Sequence, residues 1–442
     1  MAAEIKERDS GAETLALGFG TSVAMWFLAY LCRMPPALVP AWLLAVGLLA
    51  CILGGGFVAG WFSARGWRAG LAAGLLSSVV NLLVLGSLLG GSRPNQLVPS
   101  AAWWLPGSLL LGAALGTLGA ALGARGRREA VGVVGWTGVF AAVAAAATLL
   151  QLLVGGIVTG SASGLAVVDW PNSFGYNMFL YPLSRMTGGI YYEHAHRLFG
   201  TLVGLTTVVL AVHLMRVERR SWVRGLALLA VLVVVVQGIL GGLRVTGAFT
   251  LSASPAAMAP SITLAIVHGV LGPTFFGLMV ALAVFVSPTW TEAGEPLASR
   301  HAHADRILGV LLVAVVLVQL VLGAIQRHLS RGLLVHITFA VVVLALALVL
   351  GARLWGLYRR QALLQRLGQA LMIGGGVQVA LGFVAFFAVE TRVEGAPRAA
   401  WEVLLTTAHQ AWGAILLGCA VMAAAWTHRL LTPDRAETAE HR

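Results

Sequence analysis

Apolar residues occupy this chain in long runs that are separated by short polar segments. A helix needs about 20 consecutive apolar residues to cross the hydrocarbon core of a bilayer. Twelve runs of roughly that length occur, and they predict an all-α, polytopic membrane protein with about twelve transmembrane helices. The predicted spans are 15-31, 37-62, 69-90, 103-123, 131-157, 191-215, 224-245, 260-287, 305-326, 332-354, 366-390 and 402-427.

Composition and charge support the membrane assignment. Hydrophobic residues make up 59% of the chain and charged residues 10%, which excludes an ordinary soluble domain. The net charge of +12 would suit nucleic acid, but the arginines lie in short loops, such as Arg65 with Arg68 and Arg219 with Arg220, after even-numbered spans. The positive-inside rule then predicts that both termini are cytoplasmic. We interpret the charge as a mark of membrane topology, so the expected partner is membrane lipid and not nucleic acid. The polar first fourteen residues do not resemble a signal peptide, so we expect them to be retained.

An internal repeat organises residues 131-427. The pattern Gln-x-x-x-Gly recurs four times near the outward ends of odd-numbered spans, and each following span carries one histidine at a similar depth. The repeat predicts two pseudo-repeated four-helix bundles, at 131-300 and 301-442, preceded by an N-terminal four-helix extension at 1-130. The glutamine and glycine pairs are Gln151/Gly155, Gln237/Gly241, Gln319/Gly323 and Gln378/Gly382, and the histidines are His196, His268, His336 and His409.

Histidines in these positions suggest metal chemistry. A single intramembrane histidine is commonly explained by a hydrogen bond between helices. Two facing imidazoles are the axial ligands of a six-coordinate haem, so two pairs predict two haem sites. Zinc or copper would require further ligands nearby, whereas Cys32, Cys51 and Cys419 are scattered.

The stretch YYEHAHRLFG, residues 191–200, concentrates polar groups at the mouth of the sixth span. At about 100° per residue, Glu193, His196 and Arg197 share one side of a helix while His194 points away. His196 is therefore the predicted ligand, and His194 is interpreted as an interface residue that hydrogen bonds at the membrane surface. Glu193 can accept a proton or stabilise positive charge at a macrocycle edge, or it can simply pair with Arg197.

Arginines at the outward side are natural partners for haem propionates. Arg197 is the candidate in the first bundle, and Arg327 and Arg331 are the candidates in the second. His328 lies beside these two arginines, which suit a propionate better than His328 suits an iron. The remaining histidines are expected to be solvated or lipid-facing, or to lie at inner helix ends; they are His213, His301, His303 and His428.

These motifs together resemble the haem A synthase family over about residues 131-427. The resemblance rests on Glu-x-x-His-Arg at Glu193, His196 and Arg197, and on the histidines of the next three inward-running spans. It also rests on motifs before and after this stretch: Thr159-Gly160-Ser161, Gly164-Leu165, Asp169-Trp170-Pro171 and Leu198-Phe199-Gly200.

The resemblance implies a function. Haem A synthases oxidise a ring methyl of haem O to a formyl group for cytochrome oxidases, through successive hydroxylations with oxygen from water. By resemblance, His196 and His268 would hold the substrate haem O and His336 and His409 would ligate a permanent haem b, while Glu193 would be the catalytic carboxylate. It also implies self-association and contact with haem O synthase or cytochrome oxidase assembly factors.

Three features depart from the family pattern. The outward loop at 158-190 lacks the cysteine pair of many bacterial relatives, and no arginine precedes its Thr-Gly-Ser. Region 1-130 is not part of the family's eight-helix body and contains no histidine. Its intramembrane Asn81 is interpreted as a contact between helices, and the region as an accessory module for docking or stabilisation.

Two other functions fit the four histidines. A di-haem membrane cytochrome would transfer electrons from a quinol without modifying its haem. A haem-carrying structural or transport subunit would not need Glu193. The combination of Glu193 with the long loop at 158-190 favours the enzyme.

Overall fold

The chain folds almost entirely into helices. The structure is a computed structural model that describes residues 2–35, 38–91, 93–126, 134–249, 252–392 and 396–434. Twelve long helices in these ranges are long and apolar enough to cross a membrane, which confirms the predicted number of spans and the all-helical class. They are α1 Ala2–Arg33, α2 Ala41–Phe62, α3 Trp67–Leu89, α4 Ala101–Arg125, α5 Trp136–Gly160, α6 Gly188–Val217, α7 Ser221–Thr246, α8 Ile262–Phe285, α9 Ala302–Leu329, α10 Leu333–Leu357, α11 Ala362–Glu390 and α12 Ala400–Leu430.

Short elements occupy the connections. Two strands, β1 Leu297–Ser299 and β2 Leu431–Pro433, pair in parallel on the side where α1 begins and α12 ends, called the termini side below. One helical turn, Pro288–Thr291, precedes β1. The opposite side, called the outer side below, carries three 3₁₀ turns, at Met178–Leu180, Leu183–Arg185 and Pro255–Ala257.

The predicted four-helix bundles are present. In the first bundle α5 packs against α6, α6 against α7, α7 against α8, and α8 returns to α5; helices α9 to α12 repeat this arrangement. The bundles meet where α5 and α8 contact α12 and α8 contacts α9. The predicted boundary after residue 130 lies in 127–133, outside the described residues, and the division into three domains stays a prediction.

The N-terminal extension is a third group of four helices. Helix α1 contacts α2, α3 and also α5, so it joins the extension to the first bundle. Helices α3 and α4 approach so closely that a Cβ on Gly74 would lie 2.1 Å from the Gly112 carbonyl oxygen. Asn81 accepts a hydrogen bond from Trp26 Nε1 at 2.9 Å, which confirms its predicted role between helices.

A buried carboxylate closes the second bundle on the termini side. Asp305 of α9 is fully buried and accepts hydrogen bonds from Arg353 Nε and from the Tyr358 hydroxyl, each at 2.5 Å. Burial, together with the hydrogen bond to Asp305, raises the pKa of Tyr358 to about 12. Tyr358 therefore stays a neutral donor, and the contact ties the inner end of α9 to the end of α10.

Candidate functional site

The four predicted histidines form two facing pairs. His196 of α6 faces His268 of α8, with ring centroids 6.3 Å apart and ring planes at 81°. His336 of α10 faces His409 of α12, at 6.4 Å and 83°. The two bundles therefore reproduce one arrangement, and the structure brings together the residues that the sequence predicted as partners.

The spacing of each pair fits a porphyrin iron. Because a metal–imidazole bond is about 2.0 Å long and a ring centroid lies roughly 1.1 Å from its nitrogen, two imidazoles on opposite sides of one iron have centroids about 6.2 Å apart. His268 Nδ1 lies 3.2 Å from the Gln237 carbonyl oxygen; donation of its proton there leaves the Nε2 lone pair for a metal. The donor chemistry and spacing suit bis-histidine haem ligation.

The glycine of each repeat contacts the histidine ring of the next helix. A Cβ added at any of the four glycines would meet Cε1 of the histidine on the following helix, because the Cε1 edge of each ring is directed at the glycine. The contacts are Gly155 with His196 at 2.8 Å, Gly241 with His268 at 3.0 Å, Gly323 with His336 at 3.1 Å and Gly382 with His409 at 3.0 Å. The motif Gln-x-x-x-Gly is thus a histidine-positioning motif.

The repeated glutamine holds the histidine-bearing helix. Gln151, Gln237 and Gln319 each donate from Nε2 to the carbonyl oxygen of their histidine, at 3.1, 2.9 and 3.0 Å. Gln378 differs, since its Nε2 lies 3.3 Å from the ring nitrogen Nδ1 of His409. A carboxamide turned by 180° would present Oε1 to an Nδ1–H at the same place and leave His409 Nε2 free for iron.

Substitutions in α7 test whether the repeated glycine positions the histidine ring. Gly241→Val is expected to displace the His268 ring, because its Cβ would lie 3.0 Å from Cε1, and to reduce haem binding by the first pair. Gly238→Val, one turn away on the same helix, has nothing within 4 Å of its Cβ and should bind haem as wild type does. The measurement is the haem-to-protein ratio of each purified variant. Equal ratios in both variants would show that the glycine does not position the ring.

The outer loop 161–187 is fixed to the start of α6. Glu193, only 3% exposed, accepts from the Val167 amide through Oε2 at 2.8 Å and from Arg197 Nη2 through Oε1 at 2.8 Å. Arg197 also donates to three loop carbonyl oxygens, those of Val167, Asp169 and Asn172, at 2.9, 2.6 and 3.0 Å. The ion pair that the sequence offered as the simpler alternative for Glu193 therefore forms.

These contacts bear on the role predicted for Arg197. Four of its five N–H groups point to Glu193 and to loop carbonyls, which leaves Nε for any further partner. The structure thus assigns Arg197 to holding the loop, and its contact with a haem rim stays a prediction.

Arg244, near the outer end of α7, was missed from the sequence. It donates to the Gly164 carbonyl oxygen at 2.7 Å and lies within electrostatic range of both His196 and His268. An arginine in the last turn of a predominantly apolar helix was the available signal. Two residues earlier, the Trp170 ring lies on Gly242, where a Cβ would be 2.1 Å from the ring.

The second pair has its own arginine. Arg327 lies within electrostatic range of His409, and its Nε is buried without a hydrogen-bond partner in the described part of the chain. Arg331 is exposed in the loop after α9. His328 extends toward the first bundle, where its Nε2 lies 3.9 Å from a Cβ built on Gly269. Arg327 is therefore the better placed of the two predicted propionate contacts.

The prediction for His194 needs correction. It is fully buried rather than at the membrane surface, because the outer loop covers it. Its Nδ1 lies 3.0 Å from Ser173 Oγ, and its ring packs 5.0 Å from that of Tyr181. His194 anchors the loop. Among the other histidines, His213 is also buried and bonds Thr137 Oγ1 at 2.9 Å.

Fold and site together define a polytopic helical membrane protein with two facing histidine pairs. Residues 138–337 match the model of the COX15-CtaA family, which is described as cytochrome oxidase assembly protein. The match confirms the resemblance to haem A synthases from α5 to the start of α10, which includes three paired histidines; His409 lies beyond it. No curated protein matches the chain. The family implies haem binding and a haem A synthase-type role in cytochrome oxidase assembly.

Proposed function

We propose that this protein is a haem A synthase, which oxidises the ring methyl of haem O to a formyl group. The observation that carries the proposal is the asymmetry between two otherwise matched histidine pairs. The pairs agree within 0.1 Å and 2°, but their buried carboxylates differ in position. Glu193 lies three residues before His196 on the same helix, whereas Glu402 lies seven residues before His409 and pairs with Arg392. The family match supports the reaction class.

The first pair is the proposed substrate site. His196 and His268 would hold haem O between them, and Arg244, in the last turn of α7 at the outer end, would meet a propionate. The outer loop, fixed by Glu193, Arg197 and Arg244, would exclude bulk water from the macrocycle edge.

The second pair is the proposed cofactor site. His336 and His409 would ligate a permanent haem b, and the buried Arg327 would pair with one of its propionates. Haem b supplies one-electron transfer when it is bound. The protein would hold the two imidazoles in place through the contacts of Gly323 with His336 and of Gly382 with His409.

Glu193 is the proposed catalytic carboxylate. Conversion of a methyl and one water to a formyl group releases four protons and four electrons. An external electron acceptor would take the electrons, and a proton acceptor near the methyl is required in each oxidation step. Glu193 sits at the outer end of α6 on the His196 side and carries negative charge that can stabilise positive charge developing on the substrate. Movement of Arg197 or of the loop would release it for proton transfer.

Cellular context follows from the family and from the charge pattern. We place the protein in a bacterial-type cytoplasmic membrane, with both termini cytoplasmic and the loop 161–187 outside. Haem O synthase and cytochrome oxidase assembly factors are the expected partners, and self-association is expected from the family resemblance.

Co-expression with a haem O synthase tests the proposal. Haems extracted from the purified protein and its membranes should include haem A by chromatography, with haem b retained at the second pair. The near-identical geometry of the two pairs also suits the alternative, a di-haem cytochrome that uses quinol. In that case only unmodified haem would be extracted from wild type, and quinol would reduce both haems.

A further inference from the structure

The outer loop is held from a second direction by the N-terminal extension. At the outer end of α3, Gly86 and Gly90 abut the backbone of the 3₁₀ turn Met178–Leu180. A Cβ on Gly86 would lie 2.4 Å from the Phe179 carbonyl oxygen, and one on Gly90 would lie 2.3 Å from that of Leu180. Because no side chain fits there, helix and loop are in direct backbone contact.

The segment after α3 adds a hydrogen bond to the same turn. The Asn177 amide donates to Asn95 Oδ1 at 2.8 Å, while the Asn177 side chain caps the turn by accepting from the Phe179 amide at 3.0 Å. The Asn177 side chain therefore stabilises the turn itself, and Asn95 binds the turn to the extension.

A second contact lies at the start of α6. The Tyr191 hydroxyl donates to the Tyr30 carbonyl oxygen of α1 at 2.6 Å, and the two rings stack at 5.6 Å. The Tyr192 hydroxyl donates to the Pro35 carbonyl oxygen at 2.9 Å. These tyrosines directly precede Glu193, so α1 fixes the helix end that carries the carboxylate.

Helix α3 is in turn packed closely on α4. Cβ atoms on Gly70 and Gly74 of α3 would lie 2.2 and 2.1 Å from the carbonyl oxygens of Gly116 and Gly112 on α4. Close backbone packing of this kind joins the inner half of α3 to α4. The loop therefore contacts a helix that belongs to a packed unit of the extension.

We propose that helices α1 to α4 form a clamp that holds the loop 161–187 closed over the His196–His268 pair and thereby controls access to that pair from the outer side. The clamp gives the extension a function inside its own chain. The clamp rests on the proposed function only for the identity of the molecule that binds between His196 and His268. The contacts between the extension and the loop do not depend on that identity.

Hydrogen exchange of the full-length protein in lipid nanodiscs tests the clamp. Gly86→Val removes the backbone contact without changing the loop or either histidine pair. Amides of residues 173–187 should exchange roughly tenfold faster than in wild type, while helices α9 to α12 are unchanged. The matched control is Gly107→Val on α4, where nothing lies within 4 Å of the added Cβ, and it should exchange as wild type does.

A second variant keeps the test decisive if Gly86→Val does not fold. Tyr191→Phe retains the ring stacking but loses the hydroxyl, and it should also accelerate exchange of the loop relative to Gly107→Val. Wild-type exchange in every folded variant overturns the clamp and leaves the haem A synthase proposal standing. Conversely, faster exchange with no haem A from wild type supports the clamp and refutes the proposed reaction.

Discussion

Glu193→Gln is expected to retain haem at both histidine pairs and to lose most haem A formation. The carboxylate is not an iron ligand, and glutamine keeps its size and one hydrogen-bond acceptor for Val167 or Arg197. What it loses is the charge and the ability to take a proton. Removal of a general base costs about 10² to 10⁴ in rate, so haem O and partly oxidised haem should accumulate. Chromatography of haems from cells supplied with haem O measures the effect.

The loop contacts of Glu193 require a companion measurement. If Glu193 acted only by fixing the loop, Glu193→Gln would accelerate hydrogen exchange of residues 161–187, and Arg197→Gln, which breaks more of the same contacts, would lose at least as much haem A. We expect loop exchange near wild type in Glu193→Gln despite its lost activity, because Arg197 keeps its three bonds to loop carbonyl oxygens and glutamine keeps one acceptor. Wild-type amounts of haem A in this variant would refute the catalytic role outright.

His336→Ala and His409→Ala are each expected to abolish the low-spin b-type spectrum of the second site. A six-coordinate haem needs both imidazoles, so loss of either leaves at most a five-coordinate, high-spin haem. Reduced-minus-oxidised absorption spectra and electron paramagnetic resonance of the purified variants measure the change.

His303→Ala is the control for general effects of removing a histidine. His303 is exposed near the inner end of α9 and belongs to neither pair, so its replacement should leave the spectrum unchanged. A full complement of low-spin haem in both His336→Ala and His409→Ala would show that the second pair does not ligate iron.

Much of this architecture could be predicted from local pattern. Apolar runs reveal spans because a bilayer imposes a fixed length on every helix. The four histidines could be paired because each follows the same motif at the same depth. The contact of Gly155 with His196 was not predicted, although the motif was seen, because the sequence alone does not reveal which ring lies against a glycine.

The loop contacts could not be predicted for a physical reason. Arg197 binds backbone carbonyl oxygens of Val167, Asp169 and Asn172, and a carbonyl is present at every residue, so side-chain identity gives no signal. The same holds for Gly86 against Phe179, which joins segments of the chain far apart in sequence. Periodicity identifies neighbours within a helix but not irregular backbone packed over a site.

The four histidine-positioning glycines imply an order of construction. Each glycine contacts the histidine of the next helix, so the contact lies within one helical hairpin. The hairpins are α5–α6, α7–α8, α9–α10 and α11–α12. We therefore expect each histidine ring to be oriented once its own hairpin has formed. A pair, by contrast, spans two hairpins: His196 comes from the first and His268 from the second. Orientation of a histidine ring therefore depends on one hairpin, whereas binding of a porphyrin between two rings depends on the packing of two hairpins. A substitution can disrupt one without the other.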